Sequence, residues 1–162
     1  MEFPKTLIKR DGYIERIKPF MRKNIAKVLT GQRRVGKSFL LYQLMNQLLA
    51  EEPDANIIYI NFEDFAFSHI QTAEDMHAYI MSKFRKEKYN YIFVDEIQEI
   101  VNFERVIRSL LLNENNDIYI TGSNAKMLSG ELATYLSGRY IEFSVYSLSY
   151  LEFLAFHKLE NN

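Results

Sequence analysis

The chain contains no cysteine and only three histidines in 162 residues. Disulfides, thiolate zinc sites and a cysteine nucleophile are therefore excluded. His69, His77 and His157 stand too far apart in the chain for metal-ligand spacing. No stretch approaches the ~20 apolar residues of a membrane span, and the opening MEFPKTLIKR holds no signal-peptide core. A soluble, cytoplasmic protein is the expectation, with no membrane as partner. No internal repeat or low-complexity linker breaks the pattern. What remains is ordinary for a folded chain: 48% hydrophobic and 25% charged residues in 19.2 kDa. That composition excludes a disordered or fibrous protein, and the length suits one domain with a real core rather than two.

The net charge of -1 conceals an asymmetry. Residues 1–37 carry 11 of the 20 lysines and arginines against 3 acids, and the remainder carries 9 against 18. A basic front suits a polyanion such as a nucleotide, and could also suit nucleic acid; a solvated basic face explains the same counts.

Apolar periodicity predicts a helix over 13–24 and a strand over 25–30 that runs into a glycine-bounded loop. Leu40, Leu41, Leu44, Met45, Leu48 and Leu49 then trace one buried helical stripe, ended by Pro53 and Asp54. Strands are predicted at 57–62, 91–94, 118–121 and 140–143, and helices near 72–86, 102–112 and 125–136. A last short helix starts at the capping-box pattern Ser149-Tyr150-Leu151-Glu152. Tyr91-Ile92-Phe93-Val94 does not alternate, which is how a strand buried on both faces reads. Alternating strands and helices with short connections predict an α/β fold with a parallel sheet covered on both sides.

The strongest chemical signal is Gly31-Gln32-Arg33-Arg34-Val35-Gly36-Lys37-Ser38, a full G-x-x-x-x-G-K-[ST] P-loop. Average residue usage produces it by chance in such a chain on the order of once in a hundred or less. It also stands where its mechanism needs it, after an apolar strand and before a helix. The glycines let successive N–H groups and the helix N-terminus, as far as Phe39, turn toward phosphate oxygens. Lys37 would reach the β- and γ-phosphates, and the Ser38 hydroxyl would ligate Mg²⁺.

Asp95 and Glu96 follow the apolar strand directly. Paired with a P-loop, Asp95 is the candidate metal ligand beside Ser38, and Glu96 the candidate base for an attacking water. Thr121-Gly122-Ser123-Asn124 ends the fourth strand; one of Ser123 and Asn124 could sense the γ-phosphate while the other caps the next helix. Arg139 opens the fifth strand and could neutralise charge in phosphoryl transfer, in cis or from a neighbouring subunit, or else form a surface salt bridge. A GTPase finds little support, since no N-K-x-D guanine-reading motif is present.

The strings TGQRRVGKSFLL, YINFEDF, YIFVDEIQEI and IYITGSNAKMLSGELATYLSGRYIEFSVYSLSYLEFL together resemble the AAA-type (AAA+ superfamily) P-loop ATPases of bacteria and archaea that join an ATPase module to a C-terminal domain of unknown function, of DUF4143 type. The likeness runs from about Lys9 to Phe156. It implies a P-loop NTPase three-layer sandwich with a five-stranded parallel sheet in the order 5-1-4-3-2. It implies ATP and Mg²⁺ as cofactors, with nucleotide bound on Gly31 to Ser38, metal and water activation on Asp95 and Glu96, a polar sensor at Ser123 or Asn124 and an arginine contact from Arg139. The resemblance also implies that residues 1–162 are a single ATPase core, stopping before a helical lid and the C-terminal domain. The expected function is Mg-dependent ATP hydrolysis driving a conformational change. The alternative is a nucleotide switch with little turnover, coupled to a protein or DNA partner or to further copies of the chain.

Overall fold

Tyr91, Ile92, Phe93 and Val94 are all fully buried, and a sheet covered on both sides is the cause. The computed structural model describes residues 8–123, 135–157 and 159. Strands β1 (Ala26–Gly31), β2 (Asn56–Asn61), β3 (Asn90–Asp95), β4 (Asn116–Ser123) and β5 (Tyr140–Ser144) pair in parallel in the order β2-β3-β4-β1-β5. Read from its other edge, this is the expected 5-1-4-3-2. The described helices are α1 (Asp11–Ile17), α2 (Lys37–Glu51), α3 (Ala73–Ser82), α4 (Phe103–Leu110) and α5 (Tyr150–His157).

Successive strand residues point to opposite faces, so each strand serves two cores. Leu29, Tyr91, Phe93, Tyr119 and Phe143 pack with Ile14 and Ile17 of α1 and with Leu40, Leu41, Leu44, Met45 and Leu48 of α2. Val28, Ile58, Ile60, Ile92, Val94, Ile118 and Ile120 pack on the other side with Met76 and Ile80 of α3 and Val106, Ile107 and Leu110 of α4. The rings of Phe93 and Tyr119 stack 4.5 Å apart across neighbouring strands.

Two helices end earlier than their periodicity predicts. Pro19 has no N–H, and the chain tightens after α1 into a 3₁₀ turn over Lys18–Phe20. After α3 the Asn90 side chain closes the next loop on itself, accepting from the Arg85 N–H at 2.8 Å and donating to the Arg85 and Lys88 carbonyls. The expected capping box forms at α5, Ser149 with Glu152, and the structure adds another at α3, Thr72 with Asp75. The helix expected over 125–136 falls largely outside the described residues.

Because every strand runs the same way, the carboxyl ends of all five gather at one edge. Gly31 aligns with Ser123 there, and Asn61 with Asp95. In such sheets this is the edge where ligands bind.

Candidate nucleotide site

The P-loop leaves β1 at Gly31 and enters α2 at Lys37. A Cβ on Gly31 would lie 2.3 Å from the carbonyl oxygen of Val145, so only glycine fits where the chain after β5 crosses this loop. Arg34 (φ 66°) and Gly36 (φ 93°) both take the left-handed conformation, curling the loop into a concave run of amides ahead of α2. The 15-residue α2 adds its positive N-terminal end to that concavity. A cavity of about 470 Å³ opens there, lined by Arg33, Arg34, Gly36, Lys37, Ser38, Phe39, Glu63 and Glu96.

Lys37 is 4% exposed, an expensive place for an ammonium without partners. It donates to the carbonyls of Gly31 at 3.2 Å and Gln32 at 3.0 Å and lies 3.4 Å from Glu96 Oε1. Its charge is thus held by the loop's own backbone and by one carboxylate across the cavity.

Glu96 reaches the same cavity from the end of β3, with β4 between that strand and the P-loop, while Asp95 is buried beside it and meets the P-loop through the Ser38 hydroxyl. Thr121 of β4 ties the two: its hydroxyl donates to Asp95 Oδ1 and accepts the Glu96 N–H at 3.0 Å. Burial pushes the Asp95 carboxyl above the ordinary carboxylate range, against hydrogen bonds from the Ser38 and Thr121 hydroxyls that pull it down. Glu96 holds a left-handed backbone (φ 53°, ψ 48°) that costs of order 1–3 kcal/mol in a non-glycine residue. The Gln98 side chain donates to Glu96 Oε2, leaving its own Oε1 buried without a partner among the described residues.

The structure therefore brings together the P-loop, Asp95 and Glu96. Ser123 ends β4 next to Gly31, and Asn124 lies outside the described residues. Gln32 and Val35 face a neighbouring hollow of about 420 Å³, shared with Ser144, Val145, Tyr146 and Ser147.

Arg139 stands elsewhere. Its carbonyl accepts from Ala26 N–H at the start of β1, so the whole length of that strand, about 17 Å, separates it from Gly31. It lines an exposed hollow with Arg105, Arg108, Ser109 and Leu112. One arginine side chain does not span that distance, and contact with the γ-phosphate in cis does not fit this geometry.

Sequence reasoning missed Thr121, Gln98 and Glu63. A threonine inside a fully buried strand was the available signal for the first; nothing local marks the other two. A second hollow, about 530 Å³ between α3 and α4, gathers no buried lysine or carboxylate pair.

The donor set also bears on metal. A desolvated carboxylate hydrogen-bonded to a serine hydroxyl is a hard-oxygen pair of the kind Mg²⁺ selects, and Asp95 with Ser38 fits that ion. Among the described residues no cluster of three or more His, Cys, Asp or Glu forms a metal cage of its own.

Residues 23–154 match the family model described as the AAA domain. The chain belongs to that family. An uncharacterized protein of Haemophilus influenzae is 42% identical over 155 residues, covering 93% of this chain and 38% of that protein. The chain thus spans less than two fifths of that relative's length. Among solved structures, Saccharomyces cerevisiae Hsp104 in a complex with casein superposes with a TM-score of 0.68 at 14% identity, over 94% of this chain and 29% of that one. AMPPCP-bound DnaA from Aquifex aeolicus gives 0.58 at 17% identity, over 99% and 55%. At such identities these two share the AAA fold with this chain. AAA membership supports nucleotide binding. No described helix is long and apolar enough to cross a membrane.

Proposed function

We propose that this AAA domain binds ATP with Mg²⁺ at the carboxyl edge of its sheet and hydrolyses it. The observation that carries the proposal is a buried lysine held by P-loop carbonyls and facing Glu96 across an open cavity. An arriving triphosphate replaces those weak carbonyl partners with phosphate oxygens, while the loop amides and the α2 N-terminus supply further donors. The adjoining hollow of Gln32, Val35 and Tyr146 takes the base and ribose. AMPPCP in the DnaA structure supports an adenine nucleotide.

Asp95 and Ser38 would hold Mg²⁺, which neutralises charge on the β- and γ-oxygens. Glu96 then acts on water: its carboxylate takes a proton as the water oxygen bonds to the γ-phosphorus. The bond from that phosphorus to the bridging oxygen breaks, and ADP and phosphate leave. Gln98 holds Glu96 through Oε2, while Oε1, which faces Lys37 at 3.4 Å, would turn to the water once Lys37 engages phosphate. Ser123 or Asn124 senses the γ-phosphate at the end of β4.

Arg139 is assigned to a neighbouring copy's nucleotide, because its own site is a strand-length away. That favours a second reading: alone, the chain is a nucleotide switch with little turnover, and assembly completes the site. The energy is passed to whatever follows the core in longer relatives, which the resemblance takes to be a helical lid and a DUF4143-type domain, and from there to a protein or DNA partner. Single-turnover hydrolysis across a range of protein concentrations tests both readings. A rate that climbs with concentration and falls with Arg139→Ala supports assembly; a rate independent of concentration and of Arg139 refutes the trans assignment.

A further inference from the structure

Arg10 lies far from the P-loop in sequence, yet it is 5% exposed and bonded to the loop's backbone. Its Nη1 donates to the carbonyl of Val35 at 2.9 Å. Its Nε and Nη2 grip the Glu152 carboxylate at 2.8 and 3.3 Å, and Nη2 also donates to the carbonyls of Tyr146 at 3.0 Å and Ser147 at 3.4 Å. The Tyr13 ring lies 4.5 Å beneath the guanidinium, and the Tyr13 hydroxyl accepts the Tyr146 N–H at 3.0 Å. One buried arginine thus joins the P-loop, the connection after β5 and the first turn of α5.

A trans peptide sets the geometry of the loop end of this link. The carbonyl of residue 35 and the N–H of residue 36 belong to one planar unit and point in opposite directions. With the Val35 carbonyl held on Arg10, the Gly36 N–H is directed the other way, and Gly36 lines the cavity assigned to phosphate. At the far end, Leu154 is the one buried residue of α5, while Tyr150, Leu151, Phe153 and Phe156 are exposed. The Arg10–Glu152 fork is accordingly a principal tie between α5 and the rest of the domain.

We infer that Arg10 is a positioning residue of the nucleotide site. Through it, the seating of α5 sets the orientation of the 35–36 peptide and hence the affinity for the triphosphate. Coupling of this kind is reciprocal: if a seated α5 tightens ATP binding, bound ATP seats α5 more firmly by the same factor. The inference rests on the nucleotide reading above and adds a route by which that site is regulated. The fork depresses the Glu152 carboxyl below its ordinary range, as a charge-assisted bidentate contact does.

The chain has no tryptophan, so Phe153→Trp places a reporter on α5 without background. ATP affinity, measured by calorimetry with Mg²⁺, and reporter emission are compared in that background with and without Arg10→Lys or Glu152→Gln. Lysine keeps the charge but loses the planar fork. The expected result is an ATP dissociation constant raised about 10-fold by Arg10→Lys and about 3-fold by Glu152→Gln. Emission responds to ATP in the parent and not in Arg10→Lys. Folded variants that bind ATP with the parent's affinity, or that keep the parent's emission response, overturn the inference while leaving the nucleotide reading intact. If Arg10→Lys does not fold, Glu152→Gln decides alone. A parent that binds no ATP overturns the nucleotide reading and this inference with it.

Discussion

Two buried lysines, one near each end of β1, show what separates a structural ion pair from a working one. Lys27 and Asp117 are both completely buried, and the pair is closed. Asp117 also accepts from the Tyr119 hydroxyl and the Arg22 N–H, and Lys27 donates to the Lys23 carbonyl. Nearby, the Tyr91 hydroxyl bonds Arg22 and Glu52, and its burial pushes its pKa up to about 12. At the other end Lys37 leans on two main-chain carbonyls and a carboxylate at 3.4 Å, beside an open cavity. The first lysine has partners it cannot exchange; the second has partners that a phosphate can replace. Residue type and burial are alike in the two, so the difference lies in what borders them.

The largest effect is expected where the network is closed. Asp117→Asn leaves a buried ammonium without its counter-ion, a loss of about 3–5 kcal/mol. Urea unfolding checks it, and a change below about 1 kcal/mol would mean the pair is not enclosed as described. At the open end Glu96→Gln should keep ATP binding yet slow turnover by about 10²–10⁴, the usual worth of a general base. Single-turnover assays read this, and undiminished hydrolysis would remove Glu96 from its role.

Asp95→Asn should have a smaller effect of opposite sign. It replaces a desolvated carboxylate with a neutral acceptor for the Ser38 and Thr121 hydroxyls, so the nucleotide-free protein melts somewhat higher while its response to Mg²⁺ disappears. The accompanying pH effect is smaller still. Asp95 holds its proton more firmly folded than unfolded, so its ionisation costs stability as pH rises from the ordinary carboxylate range through the raised value. Thermal melts of the wild type should carry this downward contribution with rising pH, and Asp95→Asn should lack it. Identical pH profiles would place Asp95 in water.

How much of this was legible in the sequence follows the range of the interactions. The glycine spacing of the P-loop and the unbroken Tyr91–Val94 run are local, and each marks its element without help. Periodicity places the helices but not their ends, because the Asn90 side chain that closes the loop after α3 acts back across several residues. Thr121, Glu63 and Arg10 stay silent, since their partners come from other strands and loops. Arg139 is a different case: at a strand start beside a glycine it reads equally as a ligand in cis, a ligand in trans or a surface charge, and strand direction, which puts it at the far edge from its own P-loop, argues against the first. Parallel topology turns the question of which residues are near in sequence into which end of a strand they occupy.

On the proposed reading, the carboxyl edge of this sheet holds one Mg·ATP through Lys37. Calorimetric titration of ATP into the chain with Mg²⁺, repeated with Lys37→Ala, tests it directly. Saturable binding of one ATP per chain, weakened at least about 100-fold (about 2.7 kcal/mol) by the substitution, is the expected result. No binding by the wild type, or equal binding by both proteins, would contradict it.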